Sequence, residues 1–315
     1  MKLAVSACLI GEKVRYDGGH KRDRFVTDEL SRYCSYIPFC PEALAFGTPR
    51  SSIRMVHEDG ENHIVSNKDG ADLTEHLLGF SNLELQRIAN EDLCGIIFKS
   101  KSPSCGLGSS KTYLPNGFAE GKSDGMFVSI CRKKFPYLPM EEEGRLVDDW
   151  LRENFIMQIF AYKSFEDLKK NAPDMKKLIK FHTKNKFMLQ AKDEKLYREL
   201  GKIVGNHNSF SFFETFLFYE EKFKSAIAKK SSRKRDRNVV EHMAGFFKKE
   251  LLKVEKEILH MQIEEYTQGF IPLIVPLSTI HLYAKKYEIH YLLEQTFLTP
   301  YPKELALRSS LQSSK

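Results

Sequence analysis

Cys105 lies in the stretch Phe98–Lys111, FKSKSPSCGLGSSK, whose composition suits a site better than a core. The apolar run Cys94–Phe98 ahead of it reads as a buried strand, which breaks into a loop of Ser, Gly and Lys. Pro103 fixes its own φ, and Gly106 and Gly108 permit tight backbone paths. A cysteine at a strand end, among backbone N–H groups, hydroxyls and two lysines, is expected to favour its thiolate. Cys8 closes the run Leu3–Ala7 and Cys40 closes Tyr36–Phe39 in the same way. A parallel α/β sheet would bring all three to the carboxyl ends of its strands, where open α/β folds gather their ligands.

The three cysteines are 32 and 65 residues apart, so no local spacing rule marks them as ligands. From the residues alone three readings stay open. The thiols could hold a metal, they could be small buried hydrophobes, or Cys105 could be a nucleophile. No histidine stands in an obvious partner motif for the last. Six cysteines in 315 residues do not make a disulfide scaffold, and no CxxC pair suggests a zinc ribbon.

The elements that must position these residues follow from periodicity. Residues 1–125 alternate short apolar runs with polar, glycine-containing loops. Leu3–Ala7, Tyr36–Phe39 and Cys94–Phe98 read as strands, Asp28–Cys34 and the segment opening at Pro41-Glu42 as short helices, and His57–Gly70 as a hairpin or excursion. Leu73, Leu77, Phe80, Leu83 and Ile88 recur at helical spacing. This alternation predicts a mainly parallel sheet flanked by helices. Glu141–Glu143 look like the acidic start of a long helix running to Lys170. A break at Asn171-Ala172-Pro173 suggests domains 1–170 and 171–315. The second has no strand–helix alternation: Met175–Leu189, Lys195–Val204, Ser211–Ala228, Asn238–His260 and Leu277–Thr296 all carry helical periodicity, so an all-α domain is expected.

The net charge of +7 is unevenly spread. Residues 171–315 hold 26 Lys and Arg against 17 Asp and Glu, while the first 170 hold 23 against 25. A basic half suggests nucleic acid or another anionic surface, against the plainer reading of a solvated lysine-rich helical surface. Lys229–Arg237, KKSSRKRDR, reads as a loop between two helices with six basic residues in nine. Its Lys229, Lys230, Arg233, Lys234, Arg235 and Arg237 could neutralise phosphates. Asn238 and His242 follow near a helix start that could add an anion site. No apolar stretch approaches the length of a membrane span. Val5-Ser6-Ala7-Cys8 mimics a lipoprotein cleavage site, but only seven residues precede Cys8, so a cytoplasmic protein is expected.

The motifs Ser6-Ala7-Cys8-Leu9, Val14-Arg15-Tyr16-Asp17-Gly18, Cys40-Pro41-Glu42, Pro49-Arg50, Lys101-Ser102-Pro103-Ser104-Cys105-Gly106 and Glu141-Glu142-Glu143-Gly144-Arg145-Leu146 run in order over about half the chain. Together they resemble the thiouracil desulfidase family. The segments Asn238–Phe247 and Ile271–Leu277 are similar to the YbgA-type helical domain, and chains carrying both resemble tRNA 4-thiouridine desulfidases. The resemblance implies a [4Fe–4S] cluster on Cys8, Cys40 and Cys105 with one iron left open. It also implies Glu42 and Ser104 as a proton-transfer pair, with Arg15, Tyr16 and Asp17 lining the pocket. Plainer roles are a helix N-terminus for Glu42, a turn hydroxyl for Ser104, and support of their own loop for the other three. Cys34, Cys94 and Cys131 fall outside the motifs and read as structural. The segment Thr48–Ser52 is more polar than the family's usual flank of Pro-Arg.

The expected activity is hydrolytic removal of sulfur from 4-thiouridine in tRNA, with no membrane and no protein partner implied. Two alternatives are desulfuration of free thiolated bases or nucleosides, and a non-catalytic iron–sulfur RNA-binding sensor.

Overall fold

The computed structural model describes residues 1–206, 211–305 and 307. They form two compact units, Met1–Val147 and Asp148–Lys315.

In chain order the first unit contains β1 (Lys2–Ser6), β2 (Ser35–Phe39), α1 (Pro41–Phe46), β3 (Ile53–Glu58), β4 (Glu61–Ser66), α2 (Thr74–Ala89), β5 (Leu93–Phe98), β6 (Ser110–Tyr113), β7 (Ala119–Ser123), α3 (Met126–Lys134) and β8 (Met140–Glu142). Asp28–Cys34 is helical only as short turns around Leu30–Arg32. One sheet has the order β2-β1-β5-β8 and is parallel throughout. All six residues of β5 are buried, as a strand covered on both faces requires. Ser6 pairs with Phe39, so β1 and β2 end level and deliver Cys8 and Cys40 to one edge. Beneath that edge Phe39, Phe98 and Phe127 meet with ring centroids 5.0–6.3 Å apart.

A second sheet, β4-β3-β6-β7, is mixed. Its β3–β4 hairpin turns at Asp59-Gly60, both with positive φ, the backbone that suits a two-residue hairpin turn. β6 and β7 have no apolar signature and were not visible in the sequence. Neither is Glu141–Glu143 a helix start. Glu141 and Glu142 are buried in β8, and the helix begins at Asp149, where the Asp148 carboxylate accepts the Leu151 N–H at 3.0 Å.

The second unit is helical: α4 (Asp149–Lys170), α5 (Met175–Lys192), α6 (Glu194–Gly205), α7 (Phe212–Ala228), α8 (Arg233–Ala244), α9 (Lys253–Gln268), α10 (Ile274–Lys286) and the short α11 (His290–Leu293). The unit boundary therefore precedes α4 instead of following it. The reason lies in packing: Met157, Ala161 and Phe165 of α4 enter the same core as Phe181, Tyr219 and Phe223. Asn171–Pro173 is a corner inside the helical unit. Asn238–His260 is also two helices, parted by a 3-10 turn at Gly245–Phe247. Val254 and Ile258, apolar residues of that periodic segment, lie exposed on α9. No helix among the described residues is long and apolar enough to cross a membrane.

Candidate active site

Cys8, Cys40 and Cys105 line one cavity of about 720 Å3 in the first unit, with Glu42, Arg50, Ser102 and Ser104. Each cysteine is held differently. Cys8 sits in the single 3-10 turn Ala7–Ile10 after β1, and its carbonyl accepts the Lys21 N–H at 2.9 Å. Cys40 caps α1, its Sγ accepting the Ala43 N–H at 3.4 Å. The Cys40 N–H is taken by Glu84 of α2 at 3.2 Å. Arg87 holds Glu84 with two hydrogen bonds and also reaches the Pro38 carbonyl, so α2 clamps the main chain on both sides of Phe39.

The Cys105 loop is fastened from two directions. Glu142 accepts the Leu107 N–H at 3.1 Å and the Ser109 hydroxyl at 2.6 Å. Glu143 takes the Ser100 N–H and hydroxyl and pairs with Lys99. From the other side, the first N–H groups of α3 donate to the loop: Met126 to Pro103, Phe127 and Val128 to Ser104. These donors have no partner inside their own helix, and the loop carbonyls satisfy them. Gly125 makes the contact possible. A Cβ there would lie 2.5 Å from the Ser104 carbonyl carbon and oxygen and 2.9 Å from the Cys105 nitrogen. Gly125→Ala is expected to cost about 1–3 kcal/mol in a denaturant melt, because backbone must move. Gly79→Ala in α2, where a Cβ meets nothing within 4 Å, should be neutral or stabilising in the same assay.

The carboxylate of Glu42 organises the polar side of the cavity. Its Oε1 accepts the hydroxyl of Ser102 at 2.9 Å and that of Ser104. Its Oε2 accepts Arg50 Nη2 at 3.0 Å, and the Arg50 side chain is only 5% exposed. Arg50 is fixed in turn by the carbonyls of Val14 and Gly47, while its buried Nε has no hydrogen-bond partner. Ser102 ties the set together, since its Oγ accepts the N–H groups of Ser104 and Cys105 at 3.2 Å each. Ser104 Oγ also stands 3.6 Å from Cys105 Sγ. Glu42 and Ser104 carry roles expected from sequence, whereas Ser102 and Arg50 do not. Both lie within the quoted motifs, and only the fold reveals what they touch.

The thiolate expected at Cys105 is not what the protein alone favours. Burial pushes its thiol well above the ordinary range, and Glu42 and Cys40 add to the effect. Cys8 is pushed up to about 12, first by burial and then by Cys40, with Lys99 and Arg15 opposing. Burial likewise lifts Cys40 to about 11, opposed by the Ala43 N–H. The lysines of the loop do not outweigh desolvation. Such thiols become thiolates only when a cation takes the proton's place.

Arg15 and Tyr16 line the cavity, and the guanidinium lies 5.4 Å from the Tyr16 ring centroid. Asp17 is not among the lining residues: it accepts the Gly19 N–H at 3.0 Å and supports its own turn. Lys21, Arg54, Lys101 and Lys111 line the cavity with Arg15, and Lys21, Lys101 and Lys111 are exposed. Lys101 holds a left-handed backbone, φ 61°, rare for a residue with a side chain. Cys34, Cys94 and Cys131 lie outside the cavity lining.

In the second unit the basic segment is not a free loop. Ser232 caps α8, so Arg233, Lys234, Arg235 and Arg237 belong to its first turns. Arg235 donates to the carbonyls of Lys192 and Lys230, and Arg237 pairs with Glu241 and Glu264. Lys230 lies over the Trp150 ring at 5.4 Å, and Arg233 is half-buried. Lys229, Lys234, Asn238 and His242 are exposed. Asn238 is inside the helix and does not cap it.

Residues 3–143 match the family model described as 2-thiouracil desulfurase. Residues 186–302 match a second, described as a protein of unknown function (DUF1722). The uncharacterized protein YbgA of Escherichia coli (strain K12) is 24% identical over 159 residues, covering 50% of this chain and 94% of its own. The uncharacterized protein YbbK of Bacillus subtilis (strain 168) is 30% identical over 129 residues, 38% of this chain and 80% of its own. A solved structure titled [4Fe-4S]-dependent thiouracil desulfidase TudS is 28% identical, covers 46% of this chain and 92% of its own, and aligns with a TM-score of 0.38.

Proposed function

Because this chain belongs to the 2-thiouracil desulfurase family through its first unit, we propose that it is an iron–sulfur desulfidase that hydrolyses the C–S bond of 4-thiouridine in tRNA. The first unit carries the reaction and the helical unit binds the RNA. The observation behind this reading is the meeting of three thiols from sequence-distant loops with the Glu42–Ser102–Ser104 chain in one cavity.

The donor set fits a [4Fe–4S] cluster on Cys8, Cys40 and Cys105. No fourth cysteine is among the lining residues. Among the described residues no three His, Cys, Asp or Glu side chains converge as a single ion would need. The three thiols line one cavity, and each would give one ligand to a different iron of such a group. When bound, the cluster would supply an open, thiophilic Lewis acid that draws the substrate's sulfur.

The chain's own residues supply the rest. Glu42 is held at both oxygens, Oε1 by the two serines and Oε2 by Arg50, so it is aimed before substrate arrives. It takes a proton from the water that attacks the ring carbon. Ser104, bonded to Glu42 and facing Cys105 Sγ, relays a proton toward the departing sulfur. The thiocarbonyl and water become a carbonyl and hydrogen sulfide, with no electron consumed. Arg15 and Tyr16 stack on or flank the base.

The exposed cations of the cavity lining, Lys21, Lys101 and Lys111, support a phosphate-bearing substrate over a free base, since phosphate contacts dominate nucleic-acid affinity. Anaerobic turnover of 4-thiouridine in tRNA should exceed that of free 4-thiouracil at least tenfold in kcat/KM, by about 1.4 kcal/mol of phosphate contacts. Lys101→Ala with Lys111→Ala should raise KM for the tRNA and leave the free base unaffected. Equal kcat/KM for the two substrates would move the assignment to free thiolated bases. No turnover of either by protein with a full cluster would favour a sensor.

A further inference from the structure

Helix α5 carries six lysines and no Asp or Glu in its 18 residues. At 100° per residue, Lys176, Lys177, Lys180 and Lys184 fall within an arc of about 100°, spread over about 12 Å of helix axis. The opposite side is buried: Leu178, His182, Asn185 and Leu189 face inward there, and Leu178 and Leu189 enter the core of the second unit. Lys176, Lys177 and Lys180 are exposed and Lys184 is half-exposed.

This arrangement is unfavourable in three ways for the protein alone. Lys176 and Lys180, and again Lys180 and Lys184, are like charges at i,i+4. Lys176 and Lys177 sit in the first turn, where the helix dipole prefers acids. Compensation is slight. The Asp174 carboxylate accepts the Lys177 N–H as the cap. Lys177 Nζ reaches the Asn171 and Ala172 carbonyls, and Lys184 approaches exposed Glu294 at 3.7 Å. Lys176 and Lys180 have no carboxylate partner among the described residues. By contrast, Arg235 and Arg237 of α8 are engaged by internal carbonyls and acids.

We propose that this face of α5 is an interaction surface for the phosphate backbone of a folded RNA. The inference rests on the tRNA reading above and names the surface the RNA would use. A rigid helix with cations along one line neutralises consecutive phosphates without reading bases. An anionic membrane fits less well, because a helix that lies in a bilayer must offer it an apolar face, and that of α5 is already buried.

The test is filter binding of a bulk tRNA mixture to the full-length protein across salt concentrations. The variant is Lys176→Ala/Lys180→Ala/Lys184→Ala, and the charge-matched control is Lys248→Ala/Lys249→Ala/Lys253→Ala. The α5 variant should bind at least tenfold more weakly at about 0.1 M salt, with a log–log salt slope shallower by about two to three. The control should keep its slope within about one of the wild type. Melting of the α5 variant should be unchanged or higher, since repulsion is relieved and alanine favours helix, so lost binding cannot be laid to unfolding. An unchanged slope in the α5 variant, or an equal loss in the control, overturns the proposal. So does loss of binding to vesicles containing one-third anionic phospholipid with tRNA binding intact. Failure of the wild type to bind tRNA at all would instead sink the tRNA reading. A wild type that binds through α5 but does not desulfurate would leave the surface standing and the reaction wrong.

Discussion

Cys8→Ser, Cys40→Ser and Cys105→Ser are each expected to abolish iron and sulfide retention in anaerobically prepared protein. Hydroxyl is a harder and far less acidic ligand than thiolate. On the proposed assignment three ligands leave no redundancy, so losing one would remove a third of the attachment. The protein pays heavily for these thiolates, because burial lifts all three thiols and only a bound cation can reverse that. A serine, with a much higher intrinsic pKa, cannot be ionised by the same means. The comparison set is Cys34→Ala, Cys94→Ala and Cys131→Ala, which should keep full iron and sulfide. Alanine is the right probe there, because a hydroxyl at fully buried Cys131 would add a desolvation cost of about 1–3 kcal/mol and confuse unfolding with lost ligation. Undiminished iron in Cys105→Ser would remove that residue from the ligand set. Loss of iron in Cys131→Ala with an unchanged melt would show that a buried thiol outside the cavity takes part.

Much of this site was legible because parallel strands carry their own addresses. β1, β2 and β5 are short apolar runs, and the residue after each run falls on the same sheet edge whatever the intervening loops do. That is why Cys8 and Cys40 could be placed together, and Cys105 at the end of the loop leaving β5, without any local spacing rule. What lies across from them was not legible. Glu141 and Glu142 look like a solvated helix start, since nothing in an acidic run tells that loop N–H groups elsewhere will need acceptors. β6 and β7, SKTY and AEGKS, are held by backbone pairing and carry almost no side-chain pattern. Charge counting failed in a related way in the second unit. Composition cannot distinguish a guanidinium that seeks solvent from one that seeks a carbonyl, so Arg235 and Arg237 read as free and prove engaged. The segment Asn238–His260 misled because its apolar residues Phe246, Phe247 and Leu251 keep roughly helical spacing in sequence through the stretch where the chain leaves α8 and before α9 begins.

Glu42→Gln is expected to lower turnover of 4-thiouridine tRNA by about 10²–10⁴-fold while iron content, fold and tRNA affinity stay near wild type. The substitution conserves shape and removes the only lining carboxylate. Its consequences can be read from the donors around it. Three groups give hydrogen bonds to Glu42, two hydroxyls on Oε1 and a guanidinium on Oε2. A glutamine can accept from only one side, so its amide NH2 must face either the serines or Arg50. Arg50 keeps its carbonyl partners at Val14 and Gly47 either way, which confines the damage to the proton path. The serines then separate relay from scaffold. Ser104→Ala removes only a hydroxyl between Glu42 and Cys105, so kcat should fall with iron unchanged. Ser102→Ala also strips the acceptor for the Ser104 and Cys105 N–H groups, so it should loosen the Cys105 loop and speed iron loss to a chelator as well. Wild-type rates in Glu42→Gln would exclude the carboxylate as base. Matching kcat and iron-loss behaviour in the two serine variants would make Ser102 and Ser104 a single structural unit, leaving Glu42 to act on water without a relay.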